Sequence, residues 1–104
     1  MSKEQVEQAR YYSRLNLTIA EVTGDAKSDK LVTAQWRIAM KYAAGNKTDS
    51  IAVNRAKDCL EDNESRMNYN ASIQAAGSSD GQSKDPNWEE TLKNKGKPGI
   101  VEVK

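Results

Sequence analysis

The stretch TDSIAVNRAKDCLEDNESRMNYNASIQAAG, residues 48–77, decides how this chain reads. Within it Val53, Ala56, Leu60, Asn63, Met67, Asn70 and Gln74 alternate at spacings of three and four, the register of a helix stripe or a coiled-coil seam. Thr48, Asp49 and Ser50 offer N-caps, and neither Gly nor Pro interrupts the run before Gly77. The spacing predicts one long helix from Ser50 to Ala76. Its second half is polar, since Glu61-Asp62-Asn63-Glu64-Ser65-Arg66 holds no apolar residue. Asn on such a stripe either fixes register in a buried seam or lies on a face in water. A break near Asn63, folding the two halves together, is the alternative to a single rod.

Toward the N-terminus, a second helix starts at Asp25 or at Ser28-Asp29 and ends at Gly45. It carries two stripes, Leu31, Gln35, Ile38 and Tyr42 beside Val32, Trp36, Ala39 and Ala43. So wide an apolar arc touches two neighbours and makes this the central helix. Before it, Gln5, Gln8, Tyr12, Leu15, Ile19 and Val22 lie on one stripe of a first helix between Ser2 and Val22, stopped by Gly24. At the rise of an α-helix the first two rods are about 24–27 Å long and the third about 40 Å. The third therefore overhangs, and its far end, with Tyr69 and Ile73, needs a cover from the C-terminal segment or from another chain.

Beyond Gly77, the run Gly-Ser-Ser-Asp-Gly-Gln-Ser-Lys-Asp-Pro reads as a flexible linker. Asp85 as cap, Pro86 at the first turn and the acids Glu89 and Glu90 then open a short helix through Lys95, with Trp88 and Leu92 one turn apart. Gly96 to Gly99 ends it. Ile100-Val101-Glu102-Val103-Lys104 alternates as an extended peptide that adds to a partner's sheet edge or lies in a groove. The expected fold is all-α: a three-helix antiparallel bundle with a long third helix (residues 1–77), then a linker, a short C-terminal helix and an extended tail (residues 78–104).

Composition narrows the chemistry. Leu, Ile, Val and Phe make up about 15% of the 104 residues, yet 16 Lys and Arg balance 15 Asp and Glu to a net charge of +1. That is a thin core rather than a self-repelling disordered chain. A small domain with a thin core gains most from assembly. With no His, Ser-His-Asp and Cys-His nucleophile systems are excluded, and a lone Cys59 makes neither an internal disulfide nor a Cys-rich zinc site. Asp58, Glu61 and Asp62 share a helix face, but Lys57, Arg55 and Arg66 stand nearby and the set reads as a solvated face. Asp80 to Asp85 resembles a calcium loop only in its first residue, since Lys84 and Asp85 occupy a ligand position and the turn-glycine position. No phosphate-binding loop is present, and no metal, cofactor or catalytic residue is expected. No apolar run spans a bilayer, and Met1 to Gln5 leads into no signal-peptide core. A soluble protein of the cytoplasm or of an assembled particle is the expectation.

Arg10-Tyr11-Tyr12-Ser13-Arg14 interleaves basic and aromatic residues, the combination that grips phosphates and stacks bases. Together with Lys41 it marks a possible contact for nucleic acid or a charged ligand. Against the nucleic-acid form, no segment departs from neutrality by more than about two charges, so counterion release is small. The expected role is a non-enzymatic structural or adaptor protein, a homo-oligomer or a subunit of a larger assembly, joined through Tyr69, Ile73, Trp88, Leu92, Ile100 and Val101. The alternative is a binder of nucleic acid or a charged ligand, or an inhibitor of a nucleic-acid enzyme, acting through Arg10, Tyr11, Arg14 and Lys41. By composition alone the chain is also compatible with a small virion or secretion-system component.

Overall fold

The structure, a computed structural model, describes the backbone of residues 2–22 and 26–95, and their side chains except those of 26–28 and 95. Ile100, Val101 and the stop expected at Gly24 lie outside the described residues. The chain is all-α, and the described residues form six helical segments where three rods and a short C-terminal helix were expected: α1 (Lys3–Ala9), α2 (Tyr11–Arg14), α3 (Ala26–Ala43), α4 (Lys47–Glu61), α5 (Asn63–Ala76) and α6 (Trp88–Lys95).

The long third helix is broken. Asp62 adopts extended backbone (φ −92°, ψ 123°), and its side chain accepts from the Ser65 amide at 2.9 Å, which caps α5. Arg66 then folds back into the junction and donates to the Leu60 carbonyl and to Asn63 Oδ1, each at 2.7 Å. An acid that caps, followed by an arginine that satisfies the preceding helix end, turns the chain where the apolar spacing ran on unbroken. The buried stripe changes accordingly, from Val53, Ala56 and Leu60 on α4 to Arg66, Tyr69 and Ile73 on α5. Met67, on the expected seam, is 61% exposed.

The first helix is broken too. Arg10 takes a left-handed conformation (φ 35°), ending α1 and starting α2, and residues 15–22 run on in turns. This re-aims the stripe, so that Val6, Tyr12, Leu15, Leu17 and Val22 are buried while Gln5 and Gln8 face water. The left-handed residue is offset by packing on both sides and by Arg14, whose guanidinium donates to the carbonyls of Ala9 (2.8 Å) and Gln8 (3.0 Å) at the end of α1.

The turn between α3 and α4 contains Gly45 as expected, but Asn46 caps α4 through the Asp49 amide at 3.0 Å, and Thr48, Asp49 and Ser50, read as caps, lie inside the helix. α3 packs on α4 and α6, whereas α4 packs on α2, α3 and α5, so α4 is the hub. The residues read as a flexible linker are anchored. Asp80 and Gly81 are buried. Asn16 and Asp85 exchange two hydrogen bonds (3.1 and 2.8 Å), and Lys84 pairs with Glu21 at 3.1 Å. Gly81 holds φ +81° and sits so close to Tyr12 and Ile19 that a Cβ would fall 2.7 Å from Ile19 Cγ1. Glycine composition suggested slackness; here it permits close contact.

Candidate functional site

The densest polar centre lies where this strap meets α2 and α5. The Asp80 side chain, fully buried, accepts from the amides of Tyr12 (3.1 Å) and Ser13 (2.9 Å) and from the Ser13 hydroxyl (2.7 Å). The Tyr69 hydroxyl also donates to it and in turn accepts from the Tyr11 amide at 3.0 Å. Asp80 thus supplies from 68 residues away the cap that α2 lacks locally. Burial and the carboxylate push the Tyr69 phenol well above its ordinary pKa. The Tyr12 phenol, which donates to Asn70 Oδ1, is pushed up to about 12, chiefly by burial. A carboxylate with four donors and two phenols held neutral make a lock.

This centre corrects the expectation for Tyr69 and Ile73. Each is 2% exposed, so neither presents a side chain to a partner, and the bare overhang that motivated the choice is closed by the fold at Asp62. It also accounts for the basic-aromatic run. Tyr12 is core, and Tyr11 packs on Tyr69 with ring centroids 4.8 Å apart. Arg10 pairs with Glu7 at 2.8 Å, and Arg14 is bonded to α1. Lys41 lies over the Tyr42 ring at 5.4 Å. The acids of α4 have local duties: Glu61 pairs with Lys57 at 2.7 Å, and Asp62 is a cap. Among the described residues no three acidic or thiol groups gather as a metal site. The Cys59 thiol, half-buried and donating to the Ser65 carbonyl at 3.6 Å, is pushed up to about 11, chiefly by burial, and is a packing group.

A cleft of about 600 Å³ lies between α1–α2, α3, α4 and α6. Trp88 and Leu92 on α6 form one wall, and Val53, Ala39 and Ala43 are apolar lining residues from α4 and α3. Arg10 and Arg14 reach it from α2 and its N-cap, Glu7 from α1 and Asp49 from α4. Residues expected for two different roles therefore meet in one place: Trp88 and Leu92 from the assembly reading, Arg10 and Arg14 from the ligand reading. Tyr42 bridges to α6, donating to Glu89 at 3.3 Å. Sequence reasoning missed Asp80 and the cleft lining contributed by α3 and α4. The only local sign was an acid preceding a glycine in a turn, whose partners lie 67 and 68 residues upstream. Comparison of the chain with protein-family models, curated proteins and solved structures returned no match.

Proposed function

We propose that this protein is a small, non-enzymatic helical adaptor or structural subunit that assembles with itself or with a larger complex through α6 and the segment that follows it. The observation that carries the reading is the cleft. Trp88 and Leu92, half-buried, leave apolar surface beside a cavity of about 600 Å³ whose lining includes charges of both signs, the composition of an interface anchor within a polar rim. The stretch read as the third helix contributes Asp49 and Val53 of α4 to this cleft, whereas Tyr69 and Ile73 of α5 pack inward.

Molar mass measured against concentration tests it, on the full chain, on Trp88→Ala and on a chain ended after Asn87. Ending the chain at Gly77 would remove Asp80 and confuse unfolding with loss of contact. Association that weakens by about ten-fold or more in Trp88→Ala, with helicity unchanged, is the expected result. A full chain that stays monomeric at all concentrations, with its Trp88 emission unmoved by candidate assemblies, rules the reading out.

A second reading keeps one supporting observation: Arg10 and Arg14 line the same cleft, so a charged small ligand could take the place of a partner side chain. The nucleic-acid form is less well supported, because the rings of Tyr11 and Tyr12 are occupied by Tyr69. Oligonucleotide affinity that falls steeply with salt and disappears in Arg10→Ala would favour it. Arg10 is the better probe, since removing Arg14 also uncaps α1.

A further inference from the structure

On the other side of Arg14 from the α6 cleft runs a second, shallower groove of about 530 Å³ between α1–α2 and α4. Its lining differs in charge. Arg14 and Arg55 both face it, and no carboxylate does. Arg55 is exposed and forms no ion pair among the described residues. With the arginines are Ile51, 44% exposed and one of two large apolar side chains exposed among the described residues, and Ala52, Ala9 and the edge of Tyr11. Two arginines and a tyrosine, residue types enriched among interface anchors, are gathered here around an exposed isoleucine.

The geometry points to a docking groove for an acidic segment of a partner protein, one carrying an aliphatic side chain beside its acids. The aliphatic group covers Ile51 and Ala52, and the carboxylates pair with Arg14 and Arg55. Arg14 is already oriented by its bonds to the Ala9 and Gln8 carbonyls, so little side-chain freedom is lost when it pairs. Asp58 lines the neighbouring depression beyond Arg55, repels further acids there, and so sets where the acidic stretch must end. Single-stranded nucleic acid fits less well. Tyr11 is packed against Tyr69 and gives bases no free stacking platform, and an isoleucine offers nothing to a phosphate.

This inference stands apart from the α6 reading and is tested separately. A random-peptide library displayed on phage is selected on the full chain, with Arg55→Gln as the counter-selection. Among the described residues Arg55 makes no ion pair, so the variant keeps the fold, which a thermal melt checks. Enrichment of Asp and Glu around Leu, Ile or Val is expected. Affinity of the selected peptide should drop by about ten-fold or more in Arg55→Gln, fall with salt, and remain unchanged in Trp88→Ala. No enrichment over the counter-selection, selected peptides that bind Arg55→Gln equally well, or a labelled oligothymidine that binds more tightly than any peptide and depends on Arg55 would each overturn it.

Discussion

The strap at Asp80 and the wall formed by α6 both belong to the stretch after Gly77, and they are built in opposite ways. At Asp80 four donors converge on one buried carboxylate, and no buried side-chain polar atom among the described residues is left without a partner. At α6 the aromatic and aliphatic side chains are half-buried, a cavity separates them from α1 and α2, and a 3.3 Å bond from Tyr42 reaches across. One region fixes the fold and the other leaves room. The difference teaches where to look for stability and where for contact, since the stretch read as a slack linker is the one that fixes the fold.

Asp80→Ala tests the contrast most severely. It strands two amides and two hydroxyls in a dry site, so a loss of about 3 kcal/mol or more is expected in denaturant unfolding. Asp80→Asn, which keeps one acceptor oxygen, should lose less. Gly81→Ala comes next. Its Cβ would stand 2.7 Å from Ile19 and 3.0 Å from the Tyr12 ring at a positive φ, and the expected loss is about 1–3 kcal/mol by thermal melt.

Alkali gives a graded version of the same test. The Tyr12 phenol has its folded-state pKa raised from 10.0 to about 12, so the fold prefers the neutral form. Its contribution is fully present below about pH 10 and is lost as pH rises through about 12. The raised Tyr69 phenol acts in the same direction. The denaturant midpoint should therefore decline over this window, with tyrosinate absorbance rising alongside, and Tyr12→Phe should flatten the decline. A midpoint insensitive to pH across that range would mean that the two phenols are not held by the lock. The smallest stability effect belongs to the open region: Trp88→Ala should shift unfolding by about 1 kcal/mol or less while changing association. A larger loss there would erase the distinction between the two regions.

What was legible in the sequence follows the range of the forces involved. The helix ending before Gly45 and the short helix through Lys95 were readable because caps, breakers and stripes act within a turn or two. The break at Arg10 was not, and the break beside Asn63 was legible only as the alternative to a single rod. Arg10 adopts a left-handed backbone that its side-chain type does not favour, between the buried Val6 and Tyr12. At Asp62 an acid that could have been one more exposed helix residue became a cap because Arg66 could reach the Leu60 carbonyl. Tyr69 read as a surface anchor for the same reason: with the helix unbroken it projects past its neighbours, and with the helix folded it meets Tyr11, Tyr12 and Asp80. The cleft was half legible, in that Trp88, Leu92, Arg10 and Arg14 were named for separate roles. Nothing local indicated that α6 would bring them together.

The reach of Asp80 back to Tyr12 also sets an order of events during synthesis. At about 5–20 residues per second a ribosome adds the intervening 68 residues in roughly 3–14 s, and for that time the amides of α2 have no cap from this chain. Until Asp80 follows, the residues around α2 are thus the part a chaperone or protease meets unlocked.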